Sequence, residues 1–153
     1  MKNIKFLTVL AMAFLLFACS EAPKQEVTET SETAVVEAVN SINKVEVIGF
    51  HSTHRCATCK AIEANTQFTI DTYFPTQVEK GTVTYQTLNV EEESNYTKAE
   101  EFQATGTSLY LNVIVDNQNT IIDLTNFAFS DGRDQEIFSE ELKLKIDKEL
   151  TKI

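Results

Sequence analysis

Two cysteines separated by two residues, Cys56-Ala57-Thr58-Cys59, are the positions in this 153-residue sequence whose type and spacing most directly imply chemistry. On a helix, residues three apart are neighbours, so the two thiols can make and break a bond with each other. A bridge across two residues closes almost no loop and adds little stability through chain entropy. The pair is therefore better explained by exchange chemistry than by stapling. His51 and His54 precede it, giving the pattern H-x-x-H-x-C-x-x-C. His51, His54, Cys56 and Cys59 are four soft or borderline ligands, and the alternative reading is a carrier or sensor for Zn or Cu(I). The redox reading is preferred, because it needs no convergence of both imidazoles.

The position of the pair follows from its flanks. Residues 44–50, KVEVIGF, are rich in β-branched side chains and read as a buried strand. Residues 51–55 form a polar loop, and helix formers dominate 56–74, with Ile62, Thr66, Ile70 and Tyr73 or Phe74 along one face. A thiol at a helix start sits among unpaired backbone N–H groups at the positive end of the dipole. Arg55, Lys60 and a protonated His54 favour the thiolate further. Such settings lower a cysteine pKa from about 8.5 to roughly 3.5–7.5. Cys56, first and outermost, is expected to attack, and Cys59 to resolve the mixed disulfide.

Pro75 kinks the helix or opens a further turn that ends near Gly81, and 82–90 is a strand by β-propensity. Ser94 or Asn95 caps a helix to about Ala104, with Gly106 as its stop. Strands at 109–116 and 120–124 flank a turn at 117–119, which implies an antiparallel hairpin. Ser139 is expected to cap the last helix, whose buried stripe is Phe138, Leu142, Ile146 and Leu150. Glu91-Glu92-Glu93 reads as a solvated turn, and Asp131-Gly132 as a loop. The order strand, helix, strand, helix, strand, strand, helix gives an α/β fold. It predicts a central mixed sheet of about four strands with helices on both faces.

With the Cys-x-x-Cys placed between strand and helix, residues 44–153 resemble the thioredoxin superfamily, and the fold so implied is a thioredoxin-like three-layer sandwich. The stretch AEEFQATGTSL at 99–109 is similar to the family's second helix and the loop leading to its third strand. More narrowly, HSTHRCATCKAIE at 51–63 resembles short envelope proteins grouped under a nitrophenyl-compound nitroreductase subunit label. Nothing in the sequence recognisably binds flavin or a nitroaromatic. The resemblance implies a thiol–disulfide oxidoreductase or electron-transfer module whose only cofactor is its redox-active disulfide.

Three departures stand out. The family's Trp-Cys-Gly-Pro-Cys is Arg-Cys-Ala-Thr-Cys here, and the inner pair tunes the redox poise. Ser108 occupies the position of the family's cis-proline, where its hydroxyl can bond a thiolate or a substrate backbone. The strand positions near the family's buried acid read Ile48, Gly49 and Phe50, so a loop histidine or a water is expected to assist the resolving thiol.

The amino-terminal residues have a different purpose. Lys2 and Lys5 precede an apolar run at 6–17, too short for a dedicated membrane helix. It leads into Leu16-Phe17-Ala18-Cys19, which resembles a bacterial lipobox with Cys19 as the lipidated residue. Residues 1–18 are thus expected to be a lipoprotein signal peptide, and 19–43, rich in Glu, Thr, Ser and Val, a flexible acidic tether. The expected location is the bacterial cell envelope, lipid-anchored and periplasm-facing, with a protein thiol or disulfide as partner. Loss of Lys2 and Lys5 moves the formal charge from −10 to −12. So acidic a chain offers no basic footprint for nucleic acid.

Overall fold

The computed structural model describes residues 43–153. The expected signal segment, Cys19 and all of the expected tether except Asn43 lie outside the described residues. Asn43 Oδ1 accepts the Asp116 N–H at 2.9 Å, which ties the start of the first strand to the hairpin.

Strand β1 (Lys44–His51) is central because its side chains are apolar on both faces. Val45 and Val47 point to one side, and Ile48 and Phe50 are buried among different neighbours on the other. It pairs in parallel with β2 (Val83–Asn89) and antiparallel with β3 (Ser108–Val115). β3 pairs antiparallel with β4 (Gln118–Asp123), so the sheet runs β2-β1-β3-β4. Parallel pairing of β1 and β2 requires a crossover, and α1 (Ala57–Tyr73) with α2 (Pro75–Glu79) supplies it. Pro75 stands in the first turn of α2, where its missing N–H costs nothing.

On one face, Val45, Val47, Leu109, Leu111 and Val113 pack against Ile62 and Ile70 of α1, Ala128 of α4 (Thr125–Asp131) and the stripe of α5 (Gln135–Leu150). Phe138, Leu142 and Ile146 of that stripe are all fully buried. Each such side chain stabilises the fold by about 1.5–3 kcal/mol. On the opposite face, Ile48, Phe50 and Tyr110 meet Ala99 and Phe102 at the end of α3 (Tyr96–Glu101). The result is the expected thioredoxin-like three-layer arrangement, a mixed sheet of four strands with helices on both faces.

Four local expectations are corrected. The hairpin turns through Asp116 and Asn117, at φ 49° and 65°, so β4 begins at Gln118, not Thr120. This is the two-residue connection whose positive φ values suit strand twist, and Asn and Asp tolerate them. The helix over 96–101 ends earlier than expected, with Gln103 rather than a glycine taking φ 54°. Asp131, expected in a loop with Gly132, is instead the last residue of α4, whose one buried residue is Ala128. Finally, α5 starts at Gln135. Asp134 Oδ1 accepts the Ile137 N–H at 3.1 Å as its cap, while Ser139 lies within the helix and donates to Glu136 O at 3.2 Å.

Candidate functional site

Cys56 and Cys59 lie at the junction of the β1 loop and α1, joined as a disulfide with Cα atoms 5.1 Å apart. Cys56 is the N-cap of α1, in extended backbone conformation, and its Sγ accepts the Cys59 backbone N–H at 3.0 Å. The thiol thus takes the place that a serine or aspartate oxygen takes at other helix starts. A sulfur already receiving an N–H, at the positive end of a 17-residue helix, is favoured as an anion when the bond opens. The two sulfurs are unequal in access: Cys56 is exposed, and Cys59 is 9% exposed against the sheet.

The flanking cations make no hydrogen bond to either sulfur. Arg55 turns back along the helix, forming an ion pair with Glu63 and a long 3.4 Å bond to Cys59 O. Lys60 and His54 are exposed, and no hydrogen bond of either side chain to a sulfur is formed. The direct contact that favours the Cys56 anion is a backbone N–H rather than a side-chain cation.

The loop that carries the histidines is pinned to the end of β2. Val90 N–H donates to His51 O at 2.8 Å, Asn89 Nδ2 to Thr53 Oγ1 at 3.1 Å, and Thr53 N–H to Glu91 Oε2 at 3.3 Å. The bonds from Thr53, together with the nearby His54 and His51, hold the Glu91 carboxyl below its ordinary value. Glu91, read as part of a solvated turn, is therefore an anchor for the loop. His51 Nδ1 lies 2.9 Å from Ser52 O, and a carbonyl can only accept, so that nitrogen carries a proton. The alternative metal set of His51, His54, Cys56 and Cys59 is not assembled. The sulfurs are bonded to each other, and among the described residues no group of three or more His, Cys, Asp or Glu is placed to hold an ion.

Behind Cys59 lies a recess lined by Gly49, Arg55, Glu63, Tyr85, Thr87 and Ser108, among others. Its free volume, about 10 Å³, is the room of a single water. A Cβ on Gly49 would stand 3.7 Å from the Tyr85 hydroxyl, so the missing side chain opens the floor of this recess. Burial raises the Tyr85 pKa, the Glu63 charge adds to it, and the 2.9 Å bond from Thr87 Oγ1 and the Arg55 charge oppose it. The one carboxylate lining the recess is that of Glu63, on α1 one turn beyond Cys59. The i, i+4 spacing of Cys59 and Glu63 carried that signal. Neither His51 nor His54 lines the recess, which has room for the water expected as the alternative to a histidine.

Ser108 is buried at the first position of β3, opposite Phe50 in the register. Its hydroxyl donates to Gly106 O at 3.2 Å, so it closes its own loop instead of pointing a donor at the sulfur. One further residue escaped the sequence reading: Arg133, between α4 and α5, donates from Nε to Thr58 Oγ1 at 2.7 Å, between the two cysteines.

No protein-family model and no curated protein matches the chain. Among solved structures it is similar to the oxidized form of mitochondrial thioredoxin 3 from Saccharomyces cerevisiae, at 25% identity and a TM-score of 0.38, over 59% of this chain and 76% of that one. A malarial protein of known structure is similar at 13% identity and a TM-score of 0.37, over 60% and 98% of the two chains. The chain's own strand order, strand directions and the Cys-x-x-Cys disulfide at the start of α1 are those of a thioredoxin-like fold.

Proposed function

We propose that this chain is a thiol–disulfide oxidoreductase of the bacterial cell envelope, held to the membrane by lipid on Cys19 and exchanging electrons with a protein partner. The observation that carries the redox reading is the unequal pair: an exposed Cys56 sulfur that accepts the Cys59 N–H, and a Cys59 sulfur buried behind it.

In the reducing direction, the Cys56 thiolate attacks one sulfur of a partner disulfide. A Cys56–partner bond forms, and the other partner sulfur leaves as a thiolate that takes up a proton. Cys59 then loses its proton toward the recess, where Glu63 is the available carboxylate, and attacks Cys56 Sγ. The protein disulfide re-forms and the second partner thiol is released. Two electrons pass to the partner, and each step reverses for oxidation. No resident cofactor is required. No nitroreduction is proposed, because the resemblance behind that label rests on residues 51–63, whose own chemistry is thiol exchange.

The envelope reading is supported by the apolar run ending in Leu16-Phe17-Ala18-Cys19 and by the acidic stretch that follows. Cys19→Ala is expected to move the protein from the membrane fraction to the soluble one, and retention in the membrane overturns the anchor. For the chemistry, Cys56→Ser is expected to abolish exchange, while Cys59→Ser accumulates a mixed disulfide with the partner. Exchange that survives Cys56→Ser overturns the assignment. The reduction potential of the Cys56–Cys59 couple then decides whether the protein donates or accepts electrons.

A further inference from the structure

We infer that Arg133 is a recognition residue for the exchange partner, offering its guanidinium to a carboxylate beside the partner's reactive sulfur. The inference rests on the thiol-exchange reading above and names the chemistry of the partner. The α4–α5 turn is seated along α1 by Gly132, whose carbonyl accepts Asn65 Nδ2 at 3.1 Å and whose Cα abuts Ile62. The next residue, Arg133, reaches the helix start and uses its Nε–H on Thr58, inside the Cys-x-x-Cys. That bond fixes the guanidinium while leaving its other four N–H donors uncommitted to Thr58. Arg133 is exposed, and among the described residues no carboxylate lies within ion-pairing distance of it. Arg55, by contrast, is already paired with Glu63.

The surroundings favour recognition at contact distance over a long-range field. Asp134 and Asp131 lie within two residues of Arg133, the first engaged as the α5 cap, so the local charge is not strongly positive. Phe129 and Ile137, each within about one turn of Arg133 in α4 and α5, are 45% and 52% exposed. A guanidinium fixed by its neighbour and accompanied by exposed apolar side chains has the composition of an interface anchor. An arginine so oriented selects a planar acceptor, and a carboxylate satisfies two of its donors at once.

The test uses two peptide disulfides of equal composition and net charge, each a cysteine joined to 2-mercaptoethanol. One has Glu beside the cysteine and Lys at the far end, and the other has them exchanged. The reduced protein attacks the peptide sulfur through Cys56 and releases 2-mercaptoethanol. Cys59 then expels the peptide thiol, so the protein dithiol is oxidised and the peptide disulfide is reduced. The Glu-adjacent peptide is expected to react about fivefold faster, the upper range for an exposed charge pair, with the ratio shrinking at high salt. Arg133→Gln is expected to bring the ratio to one, and Arg133→Glu to invert it, which a folding defect cannot do. Equal rates with the native protein, or a ratio unchanged in Arg133→Gln, overturn the inference. Failure of the native protein to reduce either peptide, or the neutral hydroxyethyl disulfide, overturns the exchange reading itself.

Discussion

Gly132 lies against Ile62 with no space for a methyl group: a Cβ there would stand 2.6 Å from Ile62 Cγ1 and 2.2 Å from the Ala128 carbonyl oxygen. The second of these neighbours is backbone and cannot rotate away. Gly132 has an ordinary φ of −59°, so it is required for closeness, not for its conformational range. Gly132→Ala is therefore expected to cost about 2–3 kcal/mol, the upper range for overpacking. A urea titration checks this, and a midpoint unchanged from the native protein would contradict it.

The Cys56–Cys59 contact predicts the reactivity of the reduced protein. Iodoacetamide modification of Cys56, followed against pH in the Cys59→Ser variant, is expected to rise with a midpoint in the range roughly 3.5–7.5 instead of about 8.5. The Cys59 N–H belongs to the backbone and survives this substitution, so the thiolate keeps its main support. A midpoint at the free-thiol value would remove the physical basis of the attacking role.

The disulfide site and its frame were legible because both announce themselves locally. Residues 44–50 are apolar on alternate and adjacent positions alike, which only a strand buried on both faces requires, and the stripe Phe138, Leu142, Ile146 falls on one helix face. What was illegible depends on contacts between distant residues. Helix α4 buries a single residue, Ala128, and so has no apolar period to read. Ser139 looks like a cap by type, but Asp134 holds that role because the chain enters the helix five residues sooner. Arg133 on Thr58 spans 75 residues of sequence and has no local signature. The family resemblance places an acid near Cys59 on the strand, where Gly49 leaves a space that Glu63 borders from the helix.

Glu63 gives a prediction with two separable readouts. Glu63→Gln removes the carboxylate beside Cys59 and leaves the Arg55 charge uncompensated. The mixed disulfide formed by Cys56 is expected to persist longer, by about tenfold or more, as for loss of a modest general base. The Cys56 alkylation midpoint is expected to move down, because the freed guanidinium favours the thiolate. Quenched-flow trapping measures the first and the pH profile the second. A mixed-disulfide lifetime equal to the native one would show that Glu63 takes no part in resolution.

Glu46 predicts part of the acid sensitivity of the fold. Burial pushes its carboxyl up, but hydrogen bonds from Lys44 and Asn112 and the charges of Lys44 and Lys98 outweigh burial, and the net value lies below 4.5. The Lys44 contact is 2.8 Å and the Asn112 contact 2.7 Å. A carboxyl lowered in the folded state stabilises it above the unfolded value, and this contribution is lost as pH falls through the folded one. Stability measured from pH 7 down through about 4.5 and below is expected to fall less steeply in Glu46→Gln than in the native protein. Parallel acid limbs would contradict the assignment.

Asn43, the first of the described residues, is fastened to the hairpin, and the eight residues of β1 lead from it straight to the loop before the disulfide. At about 3.3 Å per residue the strand spans roughly 25 Å. Asn43 and the sulfurs therefore lie beyond opposite ends of β1. An incoming protein can therefore meet Cys56 at the end of β1 remote from both Asn43 and the hairpin turn.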